Sequence, residues 1–411
     1  GHLCEKGYAT SLIKQYNRDD IATHKLRIKE WDYYLIQSDL FALALTIADN
    51  GYMGMDSISF MWFDGAKGSN TQSRIVPFPM GKRNLPPTSK TGDVSVSGKD
   101  YEISFQNDGK KRRLFGHMEN FGKGMPILFD VTLTDAPRDS MVIMTPYKEK
   151  ETAFYYNQKI NCLRAAGDVS FGGESYSFHP ETDMAVLDWG RGVWTYSNTW
   201  YWGSASGLVD GVDFGFNIGY GFGDTSAATE NMLFYNNKAH KLSQVTFHIP
   251  EKDGKDDFMS PWKFTSDDGR FEMDFEPVML RASKTDFKVL CSDQNQVFGK
   301  FTGKADIGQQ LLALEVILKG FLRLILGDDK RNDHFRTDAA VNAVRQDGRA
   351  AAVGALGGGG GALGDQLSTA VFAAICLHLG YIGGGIALVG GVEVDAAAGL
   401  GSVHGFHGSR I

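Results

Sequence analysis

The sequence predicts a mainly β, antiparallel fold from about Lys25 to Lys304, followed by a Gly/Ala-rich tail of different composition. Three observations carry this expectation. Apolar residues alternate over short runs, Gly/Asp/Asn turn signals separate those runs, and helical stretches are few. Asp93–Phe105 reads as a hairpin, with Val94, Val96, Tyr101, Ile103 and Phe105 as apolar rows around Ser97-Gly98. Asp168–Phe178 repeats the design around Gly172-Gly173. After Asp267-Asp268-Gly269, Phe271, Met273 and Phe275 alternate with Glu272, Asp274 and Glu276, which predicts one face on a core and the other toward water or a polar cavity. Near the start, Lys29–Ile36 and Phe41–Asp49 read as two core strands joined around Ser38-Asp39. Regular strand spacing of this kind suggests barrels or sandwiches rather than βαβ units.

Composition narrows the function classes. The chain has 411 residues, 42% hydrophobic and 22% charged, with a net charge of −7, so it is long enough for a sizeable core without staples. The acidic balance argues against nucleic acid, whose binding needs a basic footprint. The run Lys110–Arg113 follows Asn107-Asp108-Gly109 and reads as a solvated hairpin end. Cys4, Cys162, Cys291 and Cys376 stand too far apart for metal or redox spacing. His117, His240 and His248 form no metal signature, so no metal is expected. Gly1 to Asp20 lacks the apolar segment of a secretory signal, which leaves cytoplasm as the default location.

The composition changes near Ala305. Gln309 to Leu326 reads as a helix, with Glu315, Lys319 and Arg323 at i+4 steps on one face. Gln366 to Val392 carries no formal charge and is long enough to cross a bilayer. Gly383-Gly384-Gly385 and Gly390-Gly391 weaken that reading, at about 1 kcal/mol per helical glycine. A low-complexity tail rather than a membrane span is therefore expected.

Chemistry concentrates in one stretch. Four of the seven tryptophans, Trp189, Trp194, Trp200 and Trp202, fall in Asp188–Gly203. Gly190 and Gly192 flank Arg191, and this points to a backbone free to take unusual conformations. Arg191 is placed to stack on aromatic faces and to pair with Asp188. Two readings stand. These residues form a pocket floor of rings with a polar pair to orient a ligand, or a buried Arg–Asp pair closes one end of a barrel beneath a tryptophan. Downstream, Gly215–Asn231 alternates glycine with Phe216, Tyr220 and Phe222. Its spacing is wrong for a dinucleotide fingerprint, and no cofactor is expected. The glycine side of that strand would admit a neighbouring tryptophan or a ligand. Asn217 and Tyr220 lie on it, and Asp224, Thr225, Glu230 and Asn231 supply polar groups at its end. Asp188, Asp224 and Glu230 are the candidate acid–base residues, with Asp274 and Glu276 behind them. Trp189, Arg191, Trp194, Trp200, Trp202, Asn217 and Tyr220 are the candidate ligand contacts.

Several of these blocks together resemble a bacterial family known as domain of unknown function 2804. They include Lys29–Tyr34, Leu45–Asn50, Asp188–Trp194, Trp200–Gly207, Gly215–Asn231, Ser260–Thr265, Arg270–Pro277 and Gln296–Phe301. The likeness runs from about Glu5 to Lys304. More distantly, Asp188–Trp194 is similar to an Asp/Trp element of lipocalin-like two-barrel proteins such as carotenoid hydratases and AttH-like proteins. That similarity implies two lipocalin-like, calycin-type barrel lobes. It departs from the hydratase pattern in having Arg191 and Gly192 where acidic and histidine residues stand. The expected organisation is an arm over 1–24, lobes over 25–185 and 186–304, and a foreign tail over 305–411, read as out-of-frame or chimeric. Without a genuine ending, the second lobe would lack a closing strand.

The functional expectation is a protein that takes a small apolar or amphipathic ligand and isomerises, hydrates or cyclises it. A non-catalytic carrier using the same pocket is the alternative. A carbohydrate-binding or carbohydrate-active protein is a third, since Trp and Tyr beside carboxylates also suit sugar rings.

Overall fold

The computed structural model describes residues 3, 5–148, 150–195, 198–286, 291–308 and 311–326. Within them the chain is mainly β and antiparallel, as the turn spacing predicts. Two single-turn 3-10 segments, Arg18–Asp20 and Lys25–Arg27, interrupt it. The strands form two large sheets and a small ribbon.

The first sheet runs in the order Ser69–Pro77, Met53–Trp62, Phe41–Asp49, Ile28–Gln37, Met184–Val193, Lys150–Phe171, Met125–Thr134, Arg112–Gly122, Tyr101–Asn107 and Val94–Ser97. Neighbours are mostly hairpins. Three neighbouring pairs in that order are not hairpins, and one of them brings sequence-distant segments together, Ile28–Gln37 pairing with Met184–Val193 from Gln37↔Met184 to Ile28↔Val193. The sheet curls until its far strands meet through side chains. Arg74 on Ser69–Pro77 pairs with Asp100 at 2.5 Å and lies over the Tyr101 ring. The predicted hairpins are present. At Gly172-Gly173 both glycines have positive φ, 67° and 82°, as a tight two-residue turn requires.

Both faces of the central strands are buried. Phe41–Asp49 has buried residues at nearly every position. Leu43, Leu45 and Ile47 point into the first core with Tyr34 and Phe60. Ala42, Ala44, Tyr33, Leu35 and Val186 point the other way and pack on Trp202 and Phe298 of the second sheet. A sheet covered on both sides reads as a continuous apolar run, which explains why Phe41–Asp49 shows so little alternation.

The second sheet runs in the order Lys238–Lys241, Met232–Tyr235, Val212–Tyr220, Trp200–Val209, Leu311–Leu326, Cys291–Asp306, Phe271–Asp286, Trp262–Ser266 and Val245–His248. Phe271, Met273 and Phe275 are buried in its core. Glu272 and Asp274 face outward to Lys304 and Lys263, so that face meets water rather than a polar cavity.

Two boundaries differ from expectation. The first sheet continues through Val193 and the second opens at Trp200, so the lobes change over between these residues, not at 185/186. Residues 311–326 form a strand, not a helix, hydrogen bonded between Trp200–Val209 and Cys291–Asp306. Positions four apart share a face in a strand as well as in a helix, so the Glu315/Lys319/Arg323 spacing fits both. Two waiting strand edges decided between them. With this strand in place the second sheet has no gap there. Among the described residues no helix is long and apolar enough to cross a membrane, and the stretch 366–392 lies outside them.

Candidate functional site at the junction of the two sheets

The Met184–Val193 strand is buried along its whole length and sends alternate side chains to opposite sides. Ala185, Leu187 and Trp189 face the first core, and Arg191 lies on the same side. The Arg191 guanidinium is 4.3 Å from the Trp189 ring. It donates to Asp32 Oδ1 at 3.0 Å, to the carbonyls of Trp31 and Gly190 at 2.8 Å, and to that of Pro86 at 2.7 Å. Tyr16 and Tyr156 meet Trp189 edge-on. Arg18 with Glu30 and Arg83 with Asp56 extend this inward polar group. The geometry is that of a plug. Arg191 pairs with Asp32 and not with Asp188, because residues three apart on a strand point to opposite faces.

Asp188, Gly190 and Gly192 face the second sheet. Neither glycine has a positive φ, so their role differs from the backbone freedom expected of them. They leave space. A Cβ on Gly190 would sit 1.9 Å from the Trp31 ring. Gly190→Ala must therefore displace Trp31, at about 1–3 kcal/mol of overpacking. We expect a lower urea midpoint and an altered near-UV spectrum for this variant. An unchanged midpoint would mean that Trp31 does not lie across the strand.

Asp188 accepts from Lys159 Nζ and from Asn157 Nδ2, each at 2.7 Å. Lys159 Nζ also lies 3.9 Å from the Trp202 ring. Trp202 Nε1 donates to Asn217 Oδ1 at 2.6 Å. Asn217 Nδ2 in turn donates to the Glu230 carbonyl at 2.9 Å and reaches its carboxylate at 3.4 Å. A chain of buried polar groups thus crosses from Asp188 on one sheet to Glu230 beside the other. Gly219 makes room for it, since a Cβ there would come within 2.5 Å of Glu230 Oε1. The glycine side of Val212–Tyr220 therefore receives Glu230, and at Gly215 the Cys162 sulfur, rather than a tryptophan.

Next to this chain is an aromatic cluster. Trp31 stacks on Tyr155 at 6.2 Å and meets Trp194 edge-on at 5.1 Å. Trp194 and Trp200 each lie 4.8 Å from Phe222, and Tyr155 lies 4.2 Å from it. Trp31, Trp194 and Trp200 are half-buried, whereas Tyr155 and Phe222 are buried.

The expected site residues therefore fall into three places. Asp188, Trp202, Asn217 and Glu230 are joined by hydrogen bonds and a cation–ring contact, with Trp194 and Trp200 nearby. Trp189 and Arg191 are in the first core, behind the strand. Tyr220 stacks on Tyr201 at 4.8 Å against the second core. Asp224 accepts from its own turn at Ser226 and lies 3.6 Å from Lys148. Sequence reasoning missed Trp31, Tyr155, Asn157 and Lys159. One signal was present, because Asn157, Lys159 and Asn161 put polar groups at period two into an otherwise buried strand.

Burial pushes the Glu230 carboxyl above its ordinary range. Lys159 and the Asn217 hydrogen bond oppose this, and the charge of Asp188 reinforces it. Burial also drives the Tyr155 phenol well up, with Glu230 and Asp188 adding to the effect. A raised carboxyl stabilises the fold while protonated. That contribution is complete below the unfolded value near 4.5 and is lost as pH rises through the folded value. The stability advantage of Glu230→Gln over wild type should thus grow as pH rises from about 4.5 toward neutrality. Urea midpoints across that range check this, and parallel pH profiles would refute it. Among the described residues no cluster could hold a metal ion.

Solved structures resemble the chain at low identity. Kievitone hydratase from Nectria haematococca aligns over 77% of this chain and 97% of its own, at 11% identity and a TM-score of 0.48. An AttH-like protein of Nitrosomonas europaea covers 77% and 98%, at 14% identity and a TM-score of 0.46. CghA with Sch210972 covers 77% and 94%, at 11% identity and a TM-score of 0.43. No curated protein matches the sequence. A family model matches residues 1–317, past the 304/305 boundary and into the Leu311–Leu326 strand. By that match the chain belongs to the family described as domain of unknown function (DUF2804).

Proposed function

We propose that this chain binds a small apolar or amphipathic molecule where its two sheets meet and moves a proton on it. The reaction class is a hydration, isomerisation or cyclisation. Each of these begins or ends with a proton on a carbon or carbonyl oxygen and needs one acid and one base in a dry site. Glu230, buried and raised, is the proton donor. Asp188, which accepts from Lys159 and Asn157, is the proton acceptor. Trp31, Trp194 and Trp200 supply the apolar contacts. The observation that carries this reading is the chain of buried contacts from Asp188 through Lys159, Trp202 and Asn217 to Glu230, hydrogen bonded except where the Lys159 amine lies over the Trp202 ring, which sets two buried carboxyl groups beside an aromatic cluster. A carboxyl that burial favours in its neutral form is suited to serve as the acid of such a site.

The test is mass spectrometry of small molecules retained by protein purified from its source organism, followed by incubation of the retained compound with variants. Wild type should hold and convert it, and Trp194→Ala should lose it. Asp188→Asn and Glu230→Gln should hold it unconverted. Conversion undiminished in both carboxyl variants would refute the assignment, and binding without conversion by wild type would make the chain a carrier.

A further inference from the structure

Glu230 lies in the stretch Thr229–Asn231, which is buried but belongs to no strand and leads into Met232–Tyr235. Side chains must therefore fix its place. The residues on either side of Glu230 are both held by Lys241, the last residue of the neighbouring Lys238–Lys241 strand. Its amine donates to Thr229 Oγ1 at 2.6 Å, to the Asn231 carbonyl at 2.8 Å and to the Leu242 carbonyl at 2.6 Å. An ammonium has three donors, and here each has one acceptor. Asn231 is bonded twice more, donating to the Ser243 carbonyl at 2.8 Å and accepting from the Gly219 amide at 2.7 Å. Between these two fixed residues the Glu230 carboxylate turns to Asn217. Four other groups act on Lys241. The Tyr8 ring lies 5.3 Å from the amine, and Arg270 donates to the Lys241 carbonyl at 2.7 Å. Burial holds the amine down to about 8, opposed by the charges of Glu230 and Asp268. Lys241 is thus charged at neutral pH. Like Lys159, it lowers the Glu230 carboxyl, against burial and the charge of Asp188.

We infer that Lys241 is a positioning residue for the proton donor, a clamp on Thr229 and Asn231 that aims the Glu230 carboxyl and keeps a positive charge near it. This rests on the proposed function and adds how its acid is held. Lys241 acts through Glu230 and not on the ligand, because all three of its donors are used within the protein. Two consequences follow from one side chain. Removing it frees the direction of the carboxyl, and it also removes a charge that favours the ionised form.

The experiment follows the tryptophan fluorescence of the full chain from about pH 4.5 to about pH 8. Trp202 donates to Asn217, which reaches Glu230, so a step present in wild type and absent from Glu230→Gln belongs to Glu230. Lys241→Met should move that step up by about half a pH unit or more, the direction for a carboxyl that loses a neighbouring cation. Lys241→Arg keeps the charge and should leave the step in place. Lys241→Gln, whose amide can still donate to two of the three acceptors, should show the same upward shift and replaces Lys241→Met if circular dichroism finds that variant unfolded. With the retained compound, the charge-removing variant should lower kcat about tenfold to a hundredfold, the scale of a misplaced reacting group, and leave KM near wild type. A step that stays or moves down in the folded charge-removing variant would overturn the inference, leaving Lys241 a part of the fold alone and the proposed function standing. Absence of any Glu230-dependent step in wild type would overturn both the clamp and Glu230 as the proton donor.

Discussion

Arg191→Leu should cost the fold about 3–5 kcal/mol, the usual penalty for breaking one half of a buried ion pair. The guanidinium is fully buried and serves Asp32 and three main-chain carbonyls at once. Burial already pushes the Asp32 carboxyl up, and Arg191 is the first group opposing that. Without it Asp32 must bind a proton or remain an unpaired charge in the core. The second replacement, Asp32→Leu, should return much of the loss, since an apolar pair of similar volume often equals a buried salt bridge. Urea denaturation of the two single variants and the double variant gives the coupling. If Arg191→Leu costs under about 1 kcal/mol, the plug is not a desolvated pair.

Asp188→Asn and Glu230→Gln should each lower turnover about a hundredfold to ten-thousandfold, the range for a positioned acid or base. Affinity for the retained compound should change little, because neither substitution alters shape and the aromatic contacts remain. The two variants should differ in stability. Asp188→Asn leaves Lys159, 3% exposed, without its carboxylate partner, whereas Glu230→Gln removes a carboxyl that burial disfavours in its charged form. Loss of turnover with destabilisation in the first and without it in the second would separate chemistry from folding. If affinity falls in step with turnover, the carboxyl groups hold the ligand rather than act on it.

The family, the antiparallel class and the hairpins at Gly98 and Gly172-Gly173 were legible in the residues, as was the clustering of tryptophans in the Asp188–Trp202 stretch. Those features are local, resting on period-two alternation and on turn residues with fixed backbone preferences. Tertiary structure decided which residues of that stretch come together. Trp189 and Arg191 lie one and three residues after Asp188, yet the strand sends them into the first core while Asp188 faces the second sheet. Lys159 and Asn157 reach Asp188 only through the pairing of Lys150–Phe171 with Met184–Val193, and Glu230 joins them only because the second sheet packs on that outer face. The same holds for residues 311–326, where a spacing of four suits helix and strand alike. Side-chain period is written in the chain, but the choice of neighbouring strand depends on contacts between residues far apart in sequence, and these exist only once the sheets have formed.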